Sequence, residues 1–526
     1  MHLQHQKCQT QKTSSPKKQK KELGLIKPHF CKDGKDPLEK VKYRITSSQI
    51  TNTEGKVIFS MDHIEVPESW SQLACDILIS KYLRRNGVPQ TESETSVKQV
   101  IKRITKSLAK EGMRLGYLSK READIFDKEL RYILVHQIAA FNSPVWFNLG
   151  LWHEYKIEGQ GGHYYWDKES DTIKITSNAF QYPQCSACFI QSVEDDLMGL
   201  FDLLKNEAKL FKFGSGTGTN FSNIRAVGEK LSGGGTTSGL MSFLEVFDRA
   251  AGATKSGGTT RRAAKMVCLD IDHPEILSFI QWKQKEEQKV KVLIDGGYSS
   301  DFNGEAYKTI SGQNSNNSVR VTDEFMKAVE EDQEWQTTYR TTGEVAKTFK
   351  ARELWEAIAK AAWTCADPGL QFHSTINEWH TCPHSGPIRA SNPCSEYMFL
   401  DNSACNLASI NLVKMLNQNG EFDITKFTHT IDTLILAQDI LVDASSYPTQ
   451  KIAENSHQFR TLGLGYANLG SLLMLKGLPY DSEEARQVAA ALTSLLTSQA
   501  YLMSTQISKK MKPFSEFERN KTPMLK

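Results

Sequence analysis

The chain has no apolar run long enough to span a bilayer. Its first residues, MHLQHQKCQTQKTSSPKKQKKE, lack the apolar core of a secretory signal. The expectation from both is a cytoplasmic protein with no membrane partner. A charge excess is also missing: 64 Lys and Arg against 61 Asp and Glu leave a formal net charge of +3. The overall balance therefore gives no case for nucleic-acid binding. Zinc-finger patterning is reduced to a fragment. Cys185 and Cys188 form a CxxC, but no second pair follows at finger spacing. His373, His380, Cys382 and His384 are read as solvated loop residues, and no metal ligand is assigned. No glycine-rich run is closed by the Gly-Lys-Ser/Thr of a P-loop.

What is present is a globular composition, 39% hydrophobic and 24% charged over 526 residues. That length supports a sizeable core and more than one structural unit. The ten cysteines are expected to be mostly reduced thiols, with any disulfide catalytic or redox-sensing. Residues 1–38 are rich in Lys and Gln and poor in aliphatics, and are expected to form a disordered basic tail. Residues 43–60 alternate like a strand pair turning near Thr53-Glu54-Gly55. WSQLACDILISKYL, SVKQVIKRITKSLAKEG and EADIFDKELRYILVHQIAAF carry apolar residues at i, i+3, i+4 and i+7. That spacing predicts a mainly helical N-terminal subdomain over 39–140.

After Phe141 short apolar strands alternate with amphipathic helices. ACFIQSV precedes LMGLFDLLKNEAKLFKF, and KMVCLDID precedes PEILSFIQWKQKEE. The pattern predicts an α/β architecture with parallel strands, barrel or open sheet. Residues 213–262 concentrate glycine and hydroxyls in FGSGTGTN, LSGGGTTSG and TKSGGTTRR. Such runs let backbone N–H groups approach an anion, with Arg225, Arg261 and Arg262 supplying charge. Flexible surface turns are the alternative.

The segment SNPCSE at 391–396 holds an amide, a thiol and a carboxylate within five residues. In an extended backbone Asn392, Cys394 and Glu396 share one face and one pocket. A buried structural cysteine beside a solvated glutamate is an equal reading of these residues alone.

Taken together, FNSPVWFN (141–148), QCSACFIQSVEDD (184–196), FGSGTGTNFSNIR (213–225), GGTTRRAAKMVCLDIDHPEILSFI (257–280), QNSNNSVRVTDEF (313–325) and NPCSEYMFLDNSACNLASINL (392–412) resemble a ribonucleotide reductase. The chain is most similar to the adenosylcobalamin-dependent class II enzymes, from about residue 43 onward. The resemblance implies a ten-stranded α/β barrel over 141–526, with a finger loop carrying the radical cysteine at its centre. Cys394 then resembles the thiyl-radical cysteine, Glu396 the base for the 3′-hydroxyl, and Asn392 the amide that orients substrate. Cys188 and Cys405 resemble the thiol pair that gives two electrons and closes to a disulfide.

Substrate contacts implied in the same way are Ser143, Ala187, Cys188, Gly216 and the run Asn392, Pro393, Cys394, Ser395, Glu396. Asp195 and Arg225 resemble positions that bind a deoxynucleotide or ATP effector at a dimer interface. Residues 313–320 resemble the loop that relays effector identity. The implied partners are a ribonucleotide, expected as the diphosphate, a thioredoxin-like reductant and a second copy of the chain.

The chain ends at FSEFERNKTPMLK, where family members normally continue. The barrel is therefore expected to be C-terminally truncated and the chain inactive by itself, with a separate chain carrying the rest as one arrangement. Adenosylcobalamin is implied by the resemblance alone, since no DxHxxG lower-ligand motif is present. A class I large subunit with a partner-generated radical and a non-catalytic nucleotide-binding fragment are the alternatives.

Overall fold

The computed structural model describes residues 24–51, 55–254, 263–302 and 304–526. Strands β1 (Tyr43–Thr51) and β2 (Val57–Pro67) form the expected antiparallel hairpin. Two long helices follow, α1 (Val97–Leu115) and α2 (Lys120–Val135). Each starts at a reciprocal capping box, Ser96 with Gln99 and Ser119 with Glu122. α1 stops at Gly116, whose φ of 90° suits a residue without a side chain. The helix expected to run through residue 141 instead ends at Val135. Gln137 takes a positive φ of 54°, and Ala139–Phe141 becomes strand β3, which pairs with a much later strand.

The expected tail needs a similar correction. Residues 1–23 lie outside the described residues. Residues 24–38 do not form a loose tail: Leu25, Ile26, Cys31 and Leu38 are buried. The Glu129 carboxylate accepts the backbone N–H groups of His29, Phe30 and Cys31 at 2.9–3.1 Å.

The central sheet is built from β4 (Cys188–Gln191), β5 (Gly216–Asn220), β6 (Ala264–Asp270), β7 (Asn316–Val321) and β8 (Gly369–Phe372). Helices α3 (Leu197–Lys212), α4 (Leu240–Ala253), α5 (Ile276–Asp295) and α6 (Ala351–Cys365) lie between them in sequence. A short hairpin follows, β9 (Ala390–Ser391) with β10 (Met398–Phe399). The long strand β11 (Ser403–Asn411), helix α7 (Ile424–Ala444) and strand β12 (Leu462–Ala467) complete the sheet.

Spatial order is β8-β7-β6-β5-β4-β11-β12, with β3 also on β11. The first five strands are mutually parallel, as are β11 and β12, and the two groups meet antiparallel at β4–β11. β8 and β12 are the open edges of this arrangement. The sheet is an incomplete barrel with two halves running in opposite directions.

One apolar core ties the N-terminal helices to the second half: Ile101, Leu108, Leu130 and Ile133 cluster with Leu434, Ile440 and Leu441 of α7. Each such side chain contributes about 1.5–3 kcal/mol by leaving water. A second core, around Val267, Phe279, Val319 and Leu354, fixes the first half. Among the described residues no helix is long and apolar enough to cross a membrane.

Candidate active site

Where the two halves meet, Cys188 of β4 lies directly opposite Cys405 of β11 in an antiparallel ladder. Cross-strand partners of this kind hold their Cβ atoms about 4.5–5.5 Å apart, and the usual Cα spacing of such pairs lies within the disulfide range. Both are buried thiols. Cys185, three residues earlier, belongs to the core that ties the N-terminal helices to α7 and is fully buried, with its thiol pushed up to about 12 by burial. The CxxC is thus two cysteines with separate surroundings.

The 391–396 segment crosses the face of the sheet above this pair. Gly218 makes the crossing fit: a Cβ there would lie 1.7 Å from Ser391 O. At Gly216, opposite Cys188 on β5, a Cβ would meet Pro393 at 2.9 Å. FGSGTGTN is accordingly not a flexible surface turn. Its GTGTN is a fully buried strand whose glycines let another stretch of backbone pass close.

The extended geometry expected for 391–396 is also replaced. Ser395 has φ 64°, and its N–H donates to Asn392 O at 3.1 Å, so the loop turns. The turn brings Asn392 and Glu396 onto one sulfur. Asn392 Nδ2 donates to Cys188 Sγ at 3.0 Å, and Cys188 Sγ donates to Glu396 Oε1 at 3.3 Å. Tyr397 N–H fixes the other end of the Asn392 amide at 3.0 Å. Burial first, then Cys405 and the Glu396 charge, push the Cys188 thiol far above its ordinary range. Burial and Glu396 do the same to Cys405. Cys394 sits on the turn and is exposed, unlike every other described cysteine.

The remaining expected residues divide between this centre and the surface. Ala187 N–H donates to Cys405 O at 3.2 Å, and Gly216 N–H to Ala187 O at 2.8 Å, so both belong to the centre. Ser143 begins a short helix, and its hydroxyl meets Tyr82 OH at 3.0 Å. Asp195 and Arg225 pair with each other at 2.7 Å, away from the thiols and partly exposed. Within LSGGGTTSG, residues 231–235 form an exposed turn between the paired Lys230 and Thr236, and Gly239 is buried. Residues 255–262, with Arg261 and Arg262, lie outside the described residues.

Among the described residues no group of His, Cys, Asp and Glu is placed to hold a metal ion. His380 and Cys382 are buried rather than solvated. The expected relay loop at 313–320 is strand β7 from Asn316 onward, with Arg320 buried in it. Sequence reasoning assigned no role to Gly218, Tyr397 or Gln371. Of these only the glycine carried a signal, as a glycine within a strand pattern.

The family model for the ribonucleotide reductase barrel domain matches residues 186–526. The chain belongs to the ribonucleotide reductases. A second model, for the class II vitamin B12-dependent enzymes, matches residues 44–137, which sets the class I alternative aside. A vitamin B12-dependent ribonucleotide reductase of Rhodopirellula baltica is 48% identical over 501 residues, covering 94% of this chain and 48% of the relative. One of Bradyrhizobium diazoefficiens is 44% identical over 599 residues, covering 94% and 48%. A vitamin B12-dependent ribonucleoside-diphosphate reductase of Mycobacterium tuberculosis is 35% identical over 333 residues, covering 63% and 45%. The chain spans about half the length of the curated relatives it matches.

Proposed function

We propose that this chain carries the catalytic centre of a class II ribonucleotide reductase, acting in the cytoplasm. The observation that supports it most is the convergence of Asn392, Glu396 and the facing pair Cys188–Cys405 beneath an exposed Cys394. In this reading Cys394, as a thiyl radical, takes the 3′-hydrogen of a ribonucleotide while Glu396 accepts the 3′-hydroxyl proton. The 2′-hydroxyl leaves as water. Cys188 and Cys405 supply two electrons and two protons and close to a disulfide, and the 3′-hydrogen returns from Cys394. A buried, protonated pair suits that role, because each sulfur must deliver hydrogen rather than sit as a thiolate.

The cofactor of this family is adenosylcobalamin. Its corrin carries its own ring nitrogens, so the lack of a protein ligand set among the described residues does not conflict with it. The exposed position of Cys394 fits the approach of so bulky a group, which the turn around Pro393, Cys394 and Ser395 would face. When bound, it supplies the one-electron chemistry that removes the hydrogen atom from the Cys394 thiol.

Diphosphate substrates are favoured by the name of the mycobacterial relative. Ser143 and Gly216 would contact the substrate, and Asp195 with Arg225 the deoxynucleotide or ATP effector. The exposed Leu197, Met198 and Phe201 on α3 and Val246 on α4 favour a second copy as partner. A thioredoxin-like reductant would reopen the disulfide. Turnover is expected once further strands, on this polypeptide or another, cover the β8 and β12 edges. The test is Cys394→Ser in the assembled enzyme, followed by deoxynucleotide formation and effector binding. Loss of turnover with effector binding retained is expected; undiminished turnover overturns the assignment.

A further inference from the structure

Strand β7 grips the Cys394 loop at two places. At its first residue, Asn316 Nδ2 donates to Pro393 O at 2.7 Å. Four residues on, Arg320 is buried and donates from Nη1 to Gln371 Oε1 at 2.6 Å and from Nη2 to Ile388 O at 2.9 Å. Gln371, buried on the neighbouring β8, passes the contact on: its Nε2 donates to Ser391 Oγ at 2.7 Å. The Ser391 hydroxyl in turn donates to Asn392 O at 2.9 Å. Residues 316 and 320 share one face of the strand, with their Cα atoms about 13 Å apart. Val319 faces the opposite way, into the apolar core that fixes the strand. Two clamps on one rigid strand therefore hold the loop immediately before Cys394.

The same strand begins directly at a turn that is itself pinned. Asp248 of α4 accepts the N–H of Gly312 at 2.9 Å and of Asn314 at 2.8 Å. A displacement of that turn reaches Asn316 within two residues, and through Asn316 the Pro393 carbonyl.

We propose that Asn316, Arg320 and Gln371 are positioning residues for Cys394, which they hold through the backbone of residues 388–393. Calling Cys394 the reacting atom rests on the proposed function, whereas the mechanical coupling does not. The test separates the two. The full chain is treated with iodoacetamide, and alkylation at Cys394 and at buried Cys185 is followed by peptide mass spectrometry. Asn316→Ala is expected to raise the Cys394 rate about fivefold, the order of one lost hydrogen bond, with Cys185 still protected. Asn316→Gln, which keeps a donor on a longer arm, should restore part of the protection. Ser391→Ala, which cuts the second clamp without touching β7, should act in the same direction.

A Cys394 rate unchanged in both alanine variants overturns the proposal, as does a parallel rise at Cys185, which marks general loosening. In the assembled enzyme Asn316→Ala should lower kcat roughly tenfold and leave KM within about twofold. An enzyme that never turns over would sink the proposed function while leaving the alkylation result to decide the coupling.

Discussion

The buried thiol pair and the exposed loop thiol use the same side chain under opposite conditions. Cys188 and Cys405 sit on paired strands, out of water, beside a carboxylate that accepts one of their protons. Their positions are set by a backbone ladder, so their spacing belongs to the fold. Cys394 sits in a turn with Ser395 at a positive φ, and its position is set by side chains reaching over from β7 and β8. One site thereby holds two sulfur chemistries. Strand geometry fixes the pair that must meet and bond, while a loop presents the sulfur that must meet something brought from outside. Glu396 joins the two, because the loop's turn places it on the Cys188 thiol.

The largest expected effect breaks the pair. Mild oxidation of the chain should yield a Cys188–Cys405 disulfide, read as a cross-linked peptide by mass spectrometry. Cys405→Ser should abolish it completely, since no other described cysteine faces Cys188 across the ladder. Persistence of a Cys188 cross-link to any other cysteine would show that the register does not determine the chemistry.

The next effect should fall on the loop alone. Gly218→Ala puts a methyl where Ser391 O stands, and backbone cannot swing aside as a side chain can. The cost is roughly 1–3 kcal/mol of stability from overpacking, visible as a lower Tm. Because β4 and β11 pair independently of the loop, the Cys188–Cys405 disulfide should still form in this variant. Loss of both together would mean that the loop and the pair are one structural unit.

How much of this was legible in the sequence follows the same division. The strand–helix alternation after residue 141 announced the α/β sheet, and the spacing of apolar residues announced α1 and α2, because local periodicity reflects local burial. The helical spacing carries on into β3 because that strand's partner, β11, lies more than 260 residues away. Residues 24–38 read as tail because the carboxylate that orders them, Glu129, is about a hundred residues distant.

In the site, the residue types at 392, 394 and 396 suit chemistry and packing equally, and only the family resemblance separates the two and names their partners. The turn at Ser395 was not legible, since nothing in SNPCSE requires φ to change sign there. The glycines of FGSGTGTN read as a phosphate cradle because composition records freedom of approach without recording what approaches. Here it is the Cys394 loop. Arg320 falls in the 313–320 segment that resembles a relay loop, and Gln371 gives no signal, because a buried polar residue looks like any other until its partners are known.

The smallest effect concerns protons. Burial raises both Cys188 and Cys405 above the ordinary thiol value of 9.0. An unfolded chain would release these protons as pH passes about 9, whereas the folded chain keeps them. Above that pH the unfolded state binds fewer protons, so stability is lost as pH rises and is fully present below it. Each raised thiol contributes a loss of about 1.4 kcal/mol per pH unit until its folded value is reached. Cys405→Ser removes one such group and keeps a donor for Asn406 O, the partner of the native thiol. Its unfolding free energy should therefore fall less steeply than that of the parent between pH 9 and 10, by about 1 kcal/mol over that unit. Parallel pH profiles for variant and parent would mean that water reaches the β4–β11 pair, and the contrast between a sealed pair and an open loop would fail at its sealed end.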